Sequence, residues 1–455
     1  MYVTRVQLRD IKSFSGERAV DLSLSGRSGW TVLAGRNASG KSTVLQAIAL
    51  AISGPDVSRT LMPDFAGWVN ERARKGEVEV HVTADPQLDQ FIGRGQKPSE
   101  FSVGLQWTRH SFDREDQGVA VLEPLITTMG GPRGPWAPGA SGWFCAGYGP
   151  FRRLGSSESR RFKNQGPSGR LVTLFREDAV LTEGVSWLID LRLRQFEEEE
   201  RKRIAEEHSG ESPVVAGPLL RTVLQLLRDD LLPDRYQIQR VTADGLWVSD
   251  GQKVRGKGFP LREMSDGYRS VVALVLDIVR QLHNAYGRLR IGSTENGGMA
   301  IMLPGVVLID EIDAHMHVSW QRKIGGWLRE HFPMIQFIVT SHSPYICQAA
   351  DEGGLIRLPA INELQAPAVV DEDLYRRVVY GSGDDAVLSE LFGVETPYSS
   401  RAEQQRRRLV ALERKVYAGT SSSAEQAEYQ ELAKLLTSSL SSRVAEVSAR
   451  LEQDQ

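Results

Sequence analysis

A strand-like run from Trp30 to Ala34 leads through Gly35-Arg36-Asn37-Ala38-Ser39-Gly40-Lys41-Ser42 into a helical stretch, Ser42 to Ser53. The octet fits G-x-x-x-x-G-K-[ST] in the strand, loop and helix setting that its chemistry requires. Glycines let the backbone wrap close to phosphates, the loop amides and the helix N-terminus supply partial positive charge, and Lys41 supplies a full one. The candidate contacts are Gly35, Asn37, Ala38, Ser39, Gly40, Lys41, Ser42 and Thr43, with Lys41 on the outer phosphates and Ser42 on Mg²⁺. In the helix Val44, Leu45, Ile48 and Ile52 share one face, so it packs on a sheet. Gly305 to Asp310 and Gln336 to Thr340 are short apolar runs of the kind found in buried parallel strands, and the fold class expected is α/β.

Bulk properties narrow the partners. With 455 residues, 41% hydrophobic and 25% charged, the chain can build two or three lobes. A net charge of −3 and a pI near 6.3 leave no global basic field, so nucleic-acid contact needs a local patch. Two distant cysteines, Cys145 and Cys347, exclude a disulfide framework and suit a reducing compartment, which points to the cytoplasm. No export signal and no membrane span is expected.

Three further runs carry chemistry. Val306-Val307-Leu308-Ile309-Asp310-Glu311 is an apolar strand ending in two carboxylates, one suited to the cation and one to an attacking water. Phe337-Ile338-Val339-Thr340-Ser341-His342 is another, ending in a histidine that can sense a terminal phosphate. Leu261-Arg262-Glu263-Met264-Ser265-Asp266-Gly267-Tyr268-Arg269-Ser270 precedes the apolar helix Val271 to Leu282, whose N-terminus can face an anion.

In order and spacing these motifs resemble the P-loop, signature, Walker B, D-loop and switch histidine of ABC/SMC-superfamily ATPases, over about residues 1–55 and 255–350. The Asn-Ala-Ser-Gly-Lys-Ser loop and the Ile-Asp-Ala-His-Met-His-Val-Ser-Trp-Gln stretch resemble the RecF-like and OLD-like group, including the ATPase subunits of Septu-type anti-phage systems. The resemblance implies ATP and Mg²⁺ as ligands, Ser42 and Asp310 on the metal, and Glu311, His342 and Lys41 as catalytic groups. It also implies a homodimer or higher oligomer in which Ser265, Asp266, Gly267 and the D-loop residue Asp313 reach the opposite subunit's nucleotide. The chain departs from the family at Asp266, which stands for the first signature glycine, and at Val318, which stands for a proline. No glutamine marks the Q-loop, where Gly147-Tyr148-Gly149-Pro150-Phe151-Arg152-Arg153 sits instead. His315 and His317 have metal-pair spacing but suit D-loop packing better.

Four segments are expected: residues 1–150, an N-terminal ATPase half with an antiparallel β subdomain (Glu77 to Val82, Phe101 to Trp107); 151–250, a basic loop and helical insert; 251–365, the C-terminal ATPase half; and 366–455, a helical extension for partner binding. Gly130 to Pro150, crowded with glycine and proline, reads as a lobe boundary or shaped loop. Glu197, Glu198 and Glu199 pair with Arg201, Lys202 and Arg203 at i,i+4 on an exposed helix. Arg152, Arg153, Arg160, Arg161, Lys163 and Arg170 form a candidate DNA or RNA contact, an exposed loop being the alternative. The insert is too short for a long coiled coil. No acidic cluster beyond 366 suggests a nuclease, so any cutting falls to a separate subunit, expected to be of HNH type. The functional expectation is an ATPase whose dimerisation regulates such an effector in anti-phage defence. The alternative is a RecF-like repair ATPase binding duplex DNA. A transporter motor fits least.

Overall fold

The structure is a computed structural model that describes residues 1–94, 97–109, 120–126, 130–152, 166–179, 181, 183–205, 216–232, 236–250, 258–394, 396 and 398–436. It divides into two compact units, Met1–Phe392 and Gly393–Gln455.

The first unit opens with β1 (Tyr2–Arg9), β2 (Val20–Ser23), β3 (Gly29–Ala34) and α1 (Lys41–Leu61), followed by β4 (Lys75–Thr83), β5 (Glu100–Arg109), β6 (Ala120–Pro124) and β7 (Cys145–Tyr148). Period-two burial in β4, with Val78, Val80 and Val82 inward, makes an antiparallel sheet with one covered face, in the order β2-β1-β4-β5-β6. The helix expected to stop at Ser53 runs on to Leu61 through a break at Gly54 (φ 80°), where a Cβ would lie 2.5 Å from the Trp136 ring. Pro55 follows, and it lacks the N–H that a continuous helix would need there.

Next come α2 (Val172–Phe175), α3 (Glu183–Ala205), α4 (Ala216–Arg228), β8 (Tyr236–Thr242), β9 (Gly245–Asp250), β10 (Phe259–Pro260) and α5 (Asp266–Tyr286). The insert is therefore helical only through α4. It continues as a hairpin, in which Ala243-Asp244 turn the chain between the paired Thr242 and Gly245, the latter at φ 113°. The exposed Glu197–Arg201 pair forms at 3.7 Å. After β11 (Ile291–Ser293) and β12 (Met299–Ile301), β13 (Gly305–Ile309), α6 (Val318–His331), β14 (Ile335–Ser341), α7 (Pro344–Cys347), β15 (Leu355–Arg357), β16 (Ala368–Val369), α8 (Glu372–Val379) and α9 (Gly383–Val387) complete the unit.

The central sheet has the order β16-β15-β3-β14-β13-β7, with β15, β3, β14, β13 and β7 parallel. β13 and β14 are buried throughout, as continuous apolar runs should be when both sheet faces are covered. Alternate residues feed two cores. Val306, Leu308 and Ile338 point to α1 and the antiparallel sheet, while Val307, Ile309, Phe337 and Val339 point to the core that contains α5. The glycine-rich stretch before Pro150 is not only a loop. It encloses β7, whose four residues are all buried beside β13. Its pairing is set by the sheet, which local sequence does not display.

One polar side chain joins the two sheets. Gln336, fully buried in β14, accepts from the Val3 amide (2.7 Å) and donates to the Val3 carbonyl (2.9 Å), at the irregularity between Val3 and Arg5 in β1. Gln336→Leu is expected to strand both backbone groups and cost about 3 kcal/mol, lowering the thermal midpoint by several degrees in calorimetry.

In the second unit, α10 (Ser400–Tyr417) and α11 (Ser423–Leu435) form an antiparallel-type pair tied by Arg408 to Glu428 (2.7 Å) and Lys415 to Glu425 (2.6 Å). Leu412 is buried between them, and Ser422 with Glu425 closes a capping box at the start of α11. Among the described residues no helix is long and apolar enough to cross a membrane.

Candidate functional site

Because β3, β14, β13 and β7 run parallel, the loops after them leave one edge of the sheet: Gly35 after Ala34, His342 after Ser341, Asp310 after Ile309 and Gly149 after Tyr148. Ligands of open parallel sheets gather at this edge.

The first loop is shaped for an anion. Ala38 (φ 62°) and Gly40 (φ 97°) turn it, and a Cβ at Gly35 or Gly40 would lie 2.4 Å from the Leu358 carbonyl or 2.5 Å from the Phe14 ring. Helix α1 starts at Lys41 with no side chain capping its first turn, and the buried Ser39 hydroxyl makes no hydrogen bond. A cradle that excludes side chains, and that holds such a hydroxyl beside uncapped amides, suits phosphate oxygens. Lys41 is buried and donates to the carbonyls of Gly35 (2.9 Å) and Arg36 (3.0 Å). Burial pushes its pKa down to about 8, against the pull of Asp310, Glu311 and Asp313.

On the second strand one threonine aligns both carboxylate residues. Thr340 Oγ1 donates to Asp310 Oδ1 (2.5 Å) and accepts from the Glu311 amide (2.7 Å). Glu311 itself takes a left-handed conformation (φ 45°), which costs a non-glycine residue about 1–2 kcal/mol, so its surroundings must hold it there. Burial raises its pKa, with Asp310 and Asp313 adding and Lys41 and Arg152 opposing. Asp313 accepts from Ser341 Oγ (2.5 Å). His342 is partly exposed, and burial together with Lys41 lowers its pKa below the ordinary value, against the pull of Asp313 and Asp310. Lys41, Asp310, Glu311, Asp313 and His342 therefore form one electrostatic group. The Ser42 hydroxyl and the Asp310 carboxylate are the hard oxygen donors that suit Mg²⁺.

The signature segment sits at the start of α5. Ser265 is its N-cap, exposed and making no capping bond; Asp266 is exposed and paired with Arg269; Met264 is buried. Gly267 meets the loop between β13 and α6 of the same chain, for a Cβ there would lie 2.4 Å from the His315 carbonyl. His317 caps α6 by accepting from the Ser319 amide (3.3 Å).

Two family models match this chain: one described as "AAA domain, putative AbiEii toxin, Type IV TA system" over residues 157–348, and one described as "AAA domain" over residues 5–113. Septu protein PtuA from Bacillus mycoides (strain KBAB4) is 24% identical over 368 residues, 80% of this chain. The chain is similar to AAA-domain ATPases and, over most of its length, to Septu PtuA. Retron Ec83 probable ATPase from Escherichia coli is 35% identical over 132 residues, 29% of this chain. The chain spans 41% of the length of the first relative and 21% of the second. A solved SMC head bound to the C-winged helix domain of ScpA aligns with 81% of this chain and 98% of its own, at 15% identity and a TM-score of 0.46.

The basic stretch needs a correction. Arg152 is not a surface cation. It is 1% exposed and donates to the carbonyls of Gly149, Asp310, Glu311 and Ile312. Arg170 is half-buried, 5.7 Å from the Phe144 ring centre, and Arg153, Arg160, Arg161 and Lys163 lie outside the described residues. Sequence reasoning also passed over Thr340 and Ser341. Two hydroxyl residues closing an otherwise apolar strand were the signal that could have found them.

Proposed function

We propose that the chain hydrolyses ATP to ADP and phosphate in the cytoplasm as a dimer, and that this cycle controls a separate nuclease in anti-phage defence. The observation that carries the reading is the gathering of Lys41, Asp310, Glu311 and His342 at the edge where the phosphate cradle opens, while Ser265 at the start of α5 faces solvent. Lys41 binds the outer phosphates, Glu311 orients and deprotonates water, and His342 donates to the terminal phosphate. Ser265 and Gly267 of the second copy close the pocket from the other side, with Asp313 crossing between copies. Ser42 and Asp310 would hold Mg²⁺, which neutralises charge between phosphate oxygens when bound. The Arg269 partner of Asp266 offsets a carboxylate that would otherwise face the anion.

Likeness to Septu PtuA supports the defence reading and a partner effector, which we take to be a nuclease of HNH type. The repair reading, which needs a duplex-binding surface, loses Arg152 from the patch proposed for it.

Sedimentation with and without ATP and Mg²⁺ tests the dimer, and co-purification with the product of the adjacent gene tests the partner. ATP-driven association and capture of a nuclease are expected. A chain that stays monomeric and binds duplex DNA tightly in a salt-dependent manner would overturn the reading in favour of the repair ATPase. Gly267→Ala is expected to stay folded yet associate more weakly in the same experiment, because the added methyl must push α5 away from the D-loop.

A further inference from the structure

Three successive carbonyls, those of Asp310, Glu311 and Ile312, converge on one buried guanidinium. Arg152 Nη1 donates to Gly149 O (3.0 Å) and Asp310 O (2.8 Å), and Nη2 donates to Glu311 O (3.0 Å) and Ile312 O (3.1 Å). Carbonyl dipoles aimed at one point repel one another unless a cation sits among them. The left-handed turn at Glu311 is what aims them there.

We infer that Arg152 is the positioning residue of the hydrolytic site: its planar fork holds the left-handed turn at Glu311 and so fixes where that carboxylate points. The inference rests on the role proposed for Glu311. Guanidinium geometry is what the task requires, since two nitrogens at fixed separation each bridge a pair of carbonyls, whereas a lysine ammonium is a single point. No carboxylate oxygen forms a hydrogen bond with this guanidinium among the described contacts, so it serves backbone rather than an ion pair.

The loop that carries Arg152 is anchored at its other end too. Tyr148 accepts the Asp310 amide on its carbonyl (2.7 Å) and donates its phenol to Asp277 (3.0 Å) in α5, the helix that begins with Ser265 and Asp266. Five residues, 148 to 152, therefore link the signature helix to the turn that bears Glu311. A shift of α5 reaches the catalytic turn through Tyr148 and Arg152 without passing through the phosphate cradle.

The test uses the full chain with Arg152→Met, Arg152→Lys and Glu311→Gln beside the parent. Hydrogen exchange of the nucleotide-free protein reads the turn directly, because the Ile312 and Ala314 amides bond to the Thr340 and Glu311 carbonyls. In Arg152→Met, exchange at 311–316 is expected to rise about tenfold or more while β3 and β14 stay protected. Turnover is expected to fall about 30-fold or more, with the affinity for a fluorescent ATP analogue within about threefold of the parent. Arg152→Lys should fall between the two. Parental exchange at 311–316, or affinity lost in step with turnover, overturns the inference. Should the methionine variant not fold, parental exchange and turnover in Arg152→Lys overturn it equally. If Glu311→Gln hydrolyses ATP normally, the fault lies in the assignment of Glu311. If that variant is inactive and Arg152→Met is not, the fault lies here alone.

Discussion

Glu311→Gln is expected to bind ATP at least as well as the parent, to lose turnover by about 100-fold or more, and to accumulate as a nucleotide-trapped dimer. The amide keeps the volume and one acceptor but cannot take a proton from water. It also removes a negative charge from a group already crowded by Asp310 and Asp313, which is why binding should not suffer. Single-turnover hydrolysis and light scattering with ATP check the two halves of the claim. Normal hydrolysis by this variant would show that the base is another residue.

Lys41→Ala fails earlier in the cycle. Its ammonium is buried within hydrogen-bond reach of the loop carbonyls, so it stands where the outer phosphates of a cradled nucleotide would be. Charge-assisted hydrogen bonds contribute about 1.5–3 kcal/mol each, and losing two should weaken ATP binding by roughly 100-fold or more. Titration with a fluorescent ATP analogue measures this. Affinity near that of the parent would mean that the backbone amides alone hold the triphosphate. The two variants separate binding from chemistry. Only Glu311→Gln should form the trapped dimer, since only it retains the cation that seats the ligand.

How much of this was legible in the chain depends on the range of the interactions. The phosphate loop, the acidic strand end and the start of α5 are written in consecutive residues, because each is a strand or helix terminus whose chemistry is local. Strands β3, β13 and β14 were visible as apolar runs. β7 was hidden among glycines and prolines because its four residues are a strand only beside β13. Arg152 was misread for a related reason. An arginine in a basic run looks solvated until a fold brings three carbonyls to it. Thr340 was seen as part of a strand, yet its hydroxyl, which orders both Asp310 and Glu311, gains that role only when β13 and β14 pair in this register.

The contact of Gly267 with the His315 carbonyl has a consequence for timing in an assembly of the proposed kind. A subunit that tightens its helix tip on a neighbour's ligand must at the same moment load the segment flanking its own bound ligand. Two pockets tied in this manner cannot fill independently, so occupancy should rise with ATP concentration more steeply than a simple hyperbola. Relaxation after one cleavage event should likewise loosen both.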